Sequence, residues 1–159
     1  MTASLITILQ QLNAQNIEYI LVGGMAAVLH GAPMTTQDID IVHRRTEENI
    51  DRLVGFLENV HARYRGQPKN QVLFPTSAAL LGTGHNNLMT DFGPLDLLCE
   101  LASGQGYDQL LPFTESMEDG TGTSVRVITL EKLIEIKVNT ARPKDQLMIP
   151  ILLKIHERS

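Results

Sequence analysis

The chain has 159 residues, 43% of them hydrophobic and 19% charged, with a formal net charge of -5 and one cysteine. That balance suits one globular domain with its own core and excludes a disordered, highly charged chain. The negative charge argues against a protein that coats nucleic acid, the lone cysteine excludes an internal disulfide and suits a reducing cytoplasm, and no apolar run approaches a membrane span.

The first predicted element is an amphipathic helix over residues 4–15, with Leu5, Ile8, Leu9 and Leu12 on one face. The apolar run YILV at 19–22 reads as a buried strand. Gly23 and Gly24 follow directly, where a chain leaving a strand needs a tight turn and a backbone open to a ligand. A short apolar helix over residues 25–30 is expected next, its first amides facing whatever sits above the glycines. Gly31 and Pro33 stop it. Residues 36–42, TQDIDIV, read as a returning strand. Alternation along that strand places Asp38 and Asp40 on one face and Ile39 and Ile41 on the other, toward a core. Two carboxylates about 4 Å apart repel by roughly 4 kcal/mol at an effective dielectric of 20, so the pair asks for a cation or a retained proton. It is a candidate divalent-metal site.

Thr46 caps a third helix with Glu47 and Glu48 in its first turn. Ile50, Leu53, Val54, Leu57 and Val60 make its buried stripe, as far as about Tyr64. Residues 65–87 are broken by Gly66, Pro68, Pro75, Gly82 and Gly84, with 72–74 as a short strand. Gly82-Thr83-Gly84-His85 has the composition of a phosphate loop, but no helix pattern follows it, which leaves His85 an exposed loop histidine. His43 falls on the strand face opposite Asp38 and Asp40. A hairpin comes next, with a first strand at 88–91, a turn at 92–94 and a deeply buried second strand at 95–101. Cys99 in that strand reads as a packed core thiol. Asp96, flanked by leucines, has no local reason to be there. Burying an unpaired carboxylate costs several kcal/mol, so Asp96 needs a partner or a cation. Glu100, further along the same face, and Asp91, beside the turn, rank below it.

Residues 107–113 form a short helix or turn, 118–122 an exposed turn and 125–128 a strand. Thr129 caps a helix whose apolar stripe is Leu130, Leu133, Ile134 and Ala141. Lys137 falls on that stripe, where a lysine either snorkels to the edge or meets a fixed negative charge. Pro143 interrupts the helix, and Lys144-Asp145 opens a last one that buries Leu147, Ile151, Leu152 and Ile155. Helix and strand alternate with no linker, which predicts an α/β (α+β) class.

The order strand, Gly-Gly turn, helix and Asp-x-Asp strand, with thirteen residues between Gly24 and Asp38, resembles the polymerase-β-like nucleotidyltransferase fold. The fuller string HGAPMTTQDIDI is similar to the small bacterial nucleotidyltransferases related to AbiEii-type toxins. The likeness covers most of the chain, most firmly at 19–42 and 95–101. It implies a small mixed sheet packed with helices, in a single domain over residues 1–159 that moves a nucleoside monophosphate from a nucleoside triphosphate to an acceptor hydroxyl. The acceptor would be an RNA end such as that of tRNA, a protein or a small molecule. The resemblance implies Mg²⁺ or Mn²⁺ on Asp38, Asp40 and Asp96, which would also be the catalytic residues. It assigns the nucleotide to Gly23, Gly24, Thr36, Lys137, Arg142 and Lys144, with Asp145 orienting Lys137 or Arg142. It leaves open a toxin with an antitoxin-like partner protein, and a catalytically silent nucleotide-binding domain. Two positions depart from its relatives: Met34, where they often carry arginine, and Met148, where they often carry aspartate.

Overall fold

The apolar strands fall at the centre of a single sheet. The computed structural model describes residues 3–68, 70–140 and 142–158. Its sheet has seven strands among those residues: β1 (Tyr19–Val22), β2 (Ile39–His43), β3 (Arg63–Tyr64), β4 (His85–Thr90), β5 (Gly93–Leu98), β6 (Thr114–Glu118) and β7 (Ser124–Ile128). Their spatial order is β3-β4-β5-β2-β1-β7-β6. In the middle of the sheet, β1 is buried throughout and β2 at four of its five residues, as expected of strands covered on both faces. Strand β2 runs antiparallel to β1 and parallel to β5, with Asp40 opposite both Val22 and Asp96. That register brings the Asp-x-Asp segment and the hairpin carboxylate to neighbouring positions.

Helix α1 (Ala3–Ala14) buries Leu5, Ile8, Leu9 and Leu12, as its periodicity requires. Helix α3 (Glu47–Asn59) buries Ile50, Leu53, Phe56 and Leu57 and is capped by the Thr46 hydroxyl, which accepts from the Asn49 amide. Helix α2 (Gly23–Leu29) packs Met25, Ala26 and Ala27 against β1 and β2. Helices α6 (Leu130–Asn139) and α7 (Pro143–Glu157) pack on each other, and α6 also touches α2. No helix among the described residues is long and apolar enough to cross a membrane.

Several local expectations are corrected. The glycines are the first turn of α2 rather than a loop ahead of it. Asp38 lies at a bend just before β2, not within the strand. Helix α3 stops at Asn59 instead of near Tyr64, because Val60 leaves helical geometry and His61 takes a φ of 53°. Residues 72–74 form no strand and leave Val72, Leu73 and Phe74 exposed, while a short helix α4 (Ser77–Leu81) follows, capped by Thr76. His85 is exposed as expected, but it begins β4 rather than sitting in a loop.

On α7, Leu147 is 77% exposed rather than buried. Asp145, Met148, Leu152 and Ile155 recur at helical spacing on the inward face, and Leu147 falls off that face. The stripe of α6 carries Leu130 and Leu133 as expected, and Ala141 lies outside the described residues. Lys132 is also buried on α6, paired with Glu135 and stacked over the Phe113 ring. Asp119, expected in an exposed turn, is buried and accepts from the Thr121 amide and hydroxyl.

Candidate active site

The sheet register and the start of α2 converge on three carboxylates. Asp38, Asp40 and Asp96 each offer an oxygen, and these atoms lie within 4.8 Å of one another. Asp40 comes from β2 and Asp96 from the facing position on β5. Asp38, although outside the strand, still turns its carboxylate to the same side.

Crowding shows in the proton equilibria. Burial, the neighbouring Asp96 and the charge of Asp38 push the Asp40 carboxyl up to about 7, against a smaller downward pull from Lys137. Burial also raises Asp96, while the Arg65 guanidinium pulls it back toward the ionised form. One proton is therefore retained by the Asp40–Asp96 pair below neutral pH. An all-oxygen donor set of three carboxylates fits a hard divalent cation such as Mg²⁺ or Mn²⁺.

The glycines make the room above this cluster. Gly23 has a φ of 69°, and a Cβ there would overlap Asp40 Oδ2. A Cβ on Gly24 would lie 2.9 Å from Thr36 Oγ1 and 3.9 Å from Met34 Cε. Gly23, Gly24 and Thr36 thus sit together against the carboxylates. The strained position is Gly23 alone. Gly23→Ala should cost about 1–2 kcal/mol from its left-handed φ and displace the Asp40 carboxylate, so a thermal melt and a Mn²⁺ titration should both show losses.

Lys137 lies close enough to act on Asp40 electrostatically. Its Nζ donates to Asp145 Oδ1 at 2.7 Å, and Arg142 Nε donates to Asp145 Oδ2 at 2.9 Å. Burial alone would raise the Asp145 carboxyl, but the two cations hold it below the ordinary carboxylate range. Asp145 therefore joins Lys137 and Arg142, as the resemblance implied. Lys144 is exposed in the first turn of α7 and has no ion pair among the described residues. Met34 and Met148 are both partly buried against the core.

One residue at the site was missed. Arg65 Nη2 donates to Asp96 Oδ1 at 2.7 Å, and Arg65 Nη1 donates to Leu88 O at 2.7 Å. The demand for a partner at Asp96 was legible. Its source was not, because Arg65 is 31 residues away and reaches Asp96 across β4. Glu100 is taken by Arg45 and Asp91 by His61. The His43 imidazole is fully buried against Leu80 O, away from the carboxylates.

The family model for aminoglycoside-2''-adenylyltransferases matches residues 4–65. No curated protein matches the chain by sequence. Among solved structures, the lincosamide antibiotic adenylyltransferase LnuA with lincomycin bound is 16% identical, with a TM-score of 0.65 over 98% of each chain. An antigenic nucleotidyltransferase-like protein from Paracoccidioides brasiliensis is 17% identical, with a TM-score of 0.61 over 98% of this chain and 74% of that one. The antibiotic-resistance factor ANT(2'')-Ia is 14% identical, with a TM-score of 0.57 over 95% of this chain and 81% of that one. These similarities place the fold, and the family match covers the stretch that carries the glycines and the first two aspartates.

Proposed function

We propose that this chain, which has the nucleotidyltransferase fold, transfers a nucleoside monophosphate from a nucleoside triphosphate to the hydroxyl of a small molecule. The observation that carries the reading is the carboxylate triad, Asp38, Asp40 and Asp96, set directly beneath the Gly23-Gly24 turn. A small-molecule acceptor is taken over an RNA end, a protein or a toxin's target for two reasons. LnuA, at almost the same chain length, is a lincosamide adenylyltransferase, and a net charge of -5 opposes polyanion binding.

In this reading Asp38, Asp40 and Asp96 hold Mg²⁺ or Mn²⁺. Bound there, such a cation would supply charge neutralisation to the phosphates of the nucleotide. The Gly23-Gly24 backbone and the Thr36 hydroxyl bind phosphate oxygens, which the absence of a Cβ at Gly23 and Gly24 permits. Lys137, steadied by Asp145, places positive charge where pyrophosphate departs, and Arg142 and Lys144 add to it from the start of α7. The acceptor oxygen forms a bond to the α-phosphorus while the bond from that phosphorus to the β-bridging oxygen breaks. The hydroxyl proton is lost to water as that bond forms, since Asp96 is engaged by Arg65 and the cation.

The decisive experiment is a screen of the four nucleoside triphosphates with hydroxylated antibiotics and Mg²⁺, read by pyrophosphate release and product mass. A product heavier by one nucleotidyl group is expected. Tight nucleotide binding without any product would favour a silent domain instead.

The proton retained by the Asp40–Asp96 pair sets a pH dependence. Cation binding must displace it, so with a group titrating at about 7, Mn²⁺ affinity should fall about tenfold from pH 8 to pH 6. Calorimetry at the two pH values checks this, and equal affinity would remove Asp40 from the ligand set.

A further inference from the structure

Arg65 leaves the sheet just after β3, and its own amide donates to Asn87 O at 2.9 Å on β4. Asn87 is the residue that faces Asp96 across the β4–β5 pairing. The side chain crosses β4 and ends with two anchors, Leu88 O for Nη1 and Asp96 Oδ1 for Nη2. A planar guanidinium held at two points has a fixed orientation, which a lysine ammonium would not have. Asp96 thus stands between Arg65 on the β4 side and Asp40 on the β2 side. Of its two oxygens, Oδ1 is committed to Arg65.

We propose that Arg65 is a positioning residue: it clamps Oδ1 of Asp96 so that Oδ2 faces Asp38 and Asp40 and serves the cation. This rests on the reading of the triad as a cation site. The plainer alternative is that Arg65 only neutralises a buried carboxylate. The two differ in sign. Removing a nearby positive charge would by itself strengthen the attraction of the cluster for a cation, whereas losing the clamp weakens it. They also differ in what a lysine can restore. Lysine returns the charge but not the fork that reaches both Leu88 O and Asp96.

The test is a Mn²⁺ titration by calorimetry beside a thermal melt, on the wild type, Arg65→Leu, Arg65→Lys, Asp96→Asn and the Arg65→Leu, Asp96→Asn double variant. Orienting partners of metal ligands typically contribute 10- to 100-fold to affinity, so Arg65→Leu should weaken Mn²⁺ by about that factor. Arg65→Lys should melt near the wild type yet stay at least about fivefold weaker for Mn²⁺. In the Asp96→Asn background, where no carboxylate needs a partner, Arg65→Leu should fold and change Mn²⁺ affinity by less than about twofold, the non-additivity expected of coupled residues. The positioning role is overturned if Arg65→Leu binds Mn²⁺ as tightly as the wild type or tighter. It is equally overturned if Arg65→Lys restores affinity in full, or if the Arg65 and Asp96 losses simply add. A wild type that binds no Mn²⁺ at all would overturn the cation reading of the triad itself, and the inference built on it.

Discussion

Asp38→Asn combined with Asp40→Asn should abolish nucleotidyl transfer while leaving the protein folded and, above neutral pH, more stable. Loss of the cation removes several kcal/mol of charge stabilisation, on the order of a thousandfold in rate or more. Stability should move the other way because of Asp40. Its carboxyl titrates at about 7 in the folded protein against 3.8 as the ordinary value. Between those values the folded state holds a proton that the unfolded chain has released. Stability therefore falls as pH rises through this window, and the full cost of ionising Asp40 is present above about 7. An asparagine carries no such cost and can donate to Asp96. A melt of the cation-free variant should thus exceed the wild type at pH 8 and approach it at pH 5. A variant that loses activity and melts lower at pH 8 would point to a structural role for the pair.

That each of these carboxylates needs a partner was legible because burial and like charge impose costs that sequence neighbours cannot hide, whereas their grouping as a triad came only from the resemblance. Asp96 sits between leucines, and Asp38 and Asp40 crowd each other, so each calls for something outside its own segment. The helices α1 and α3 were legible for a related reason: their apolar stripes are long enough to fix a period. Strands β3 and β6 were not. The first is two residues long. The second, TESME, is a half-exposed edge strand with no buried residue to set an alternation. The glycines were legible as the point where the chain leaves β1, but not that both belong to α2 or which of them takes the positive φ. The positive φ falls on Gly23, not Gly24, because the chain turns into α2 at the first glycine. Arg65 escaped for a topological reason. Its contact with Asp96 exists only once β4 has been inserted between β3 and β5, which no local pattern encodes.

Lys137→Met should be the most destabilising single change at the site. From the sequence, three outcomes stood open: a snorkelling lysine, a triphosphate-facing lysine, or a lysine that neutralises a buried carboxylate. The 2.7 Å contact with Asp145 favours the last as the main contribution to stability, since that side chain is only 2% exposed. Removing one partner of a buried pair typically costs about 3–5 kcal/mol. Arg142 remains on the other oxygen, although its side chain is 74% exposed, so somewhat less than that range, about 2–3 kcal/mol, is expected. In a chain of this size that corresponds to a midpoint lower by about 5–10 °C.

The pH dependence carries the sign. Asp145 titrates below its ordinary value in the folded protein, so its paired form contributes stability above the unfolded carboxylate range and loses it as pH falls through the folded value. The melts of wild type and Lys137→Met should differ fully at pH 7 and converge in acid. Adding Asp145→Asn should recover most of the loss, because the charge left unpaired would be gone. If Lys137→Met melts like the wild type at pH 7, the lysine only snorkels. If the double variant recovers stability but triphosphate affinity stays weak, Lys137 serves the nucleotide as well as the fold, which is the outcome its influence on Asp40 favours.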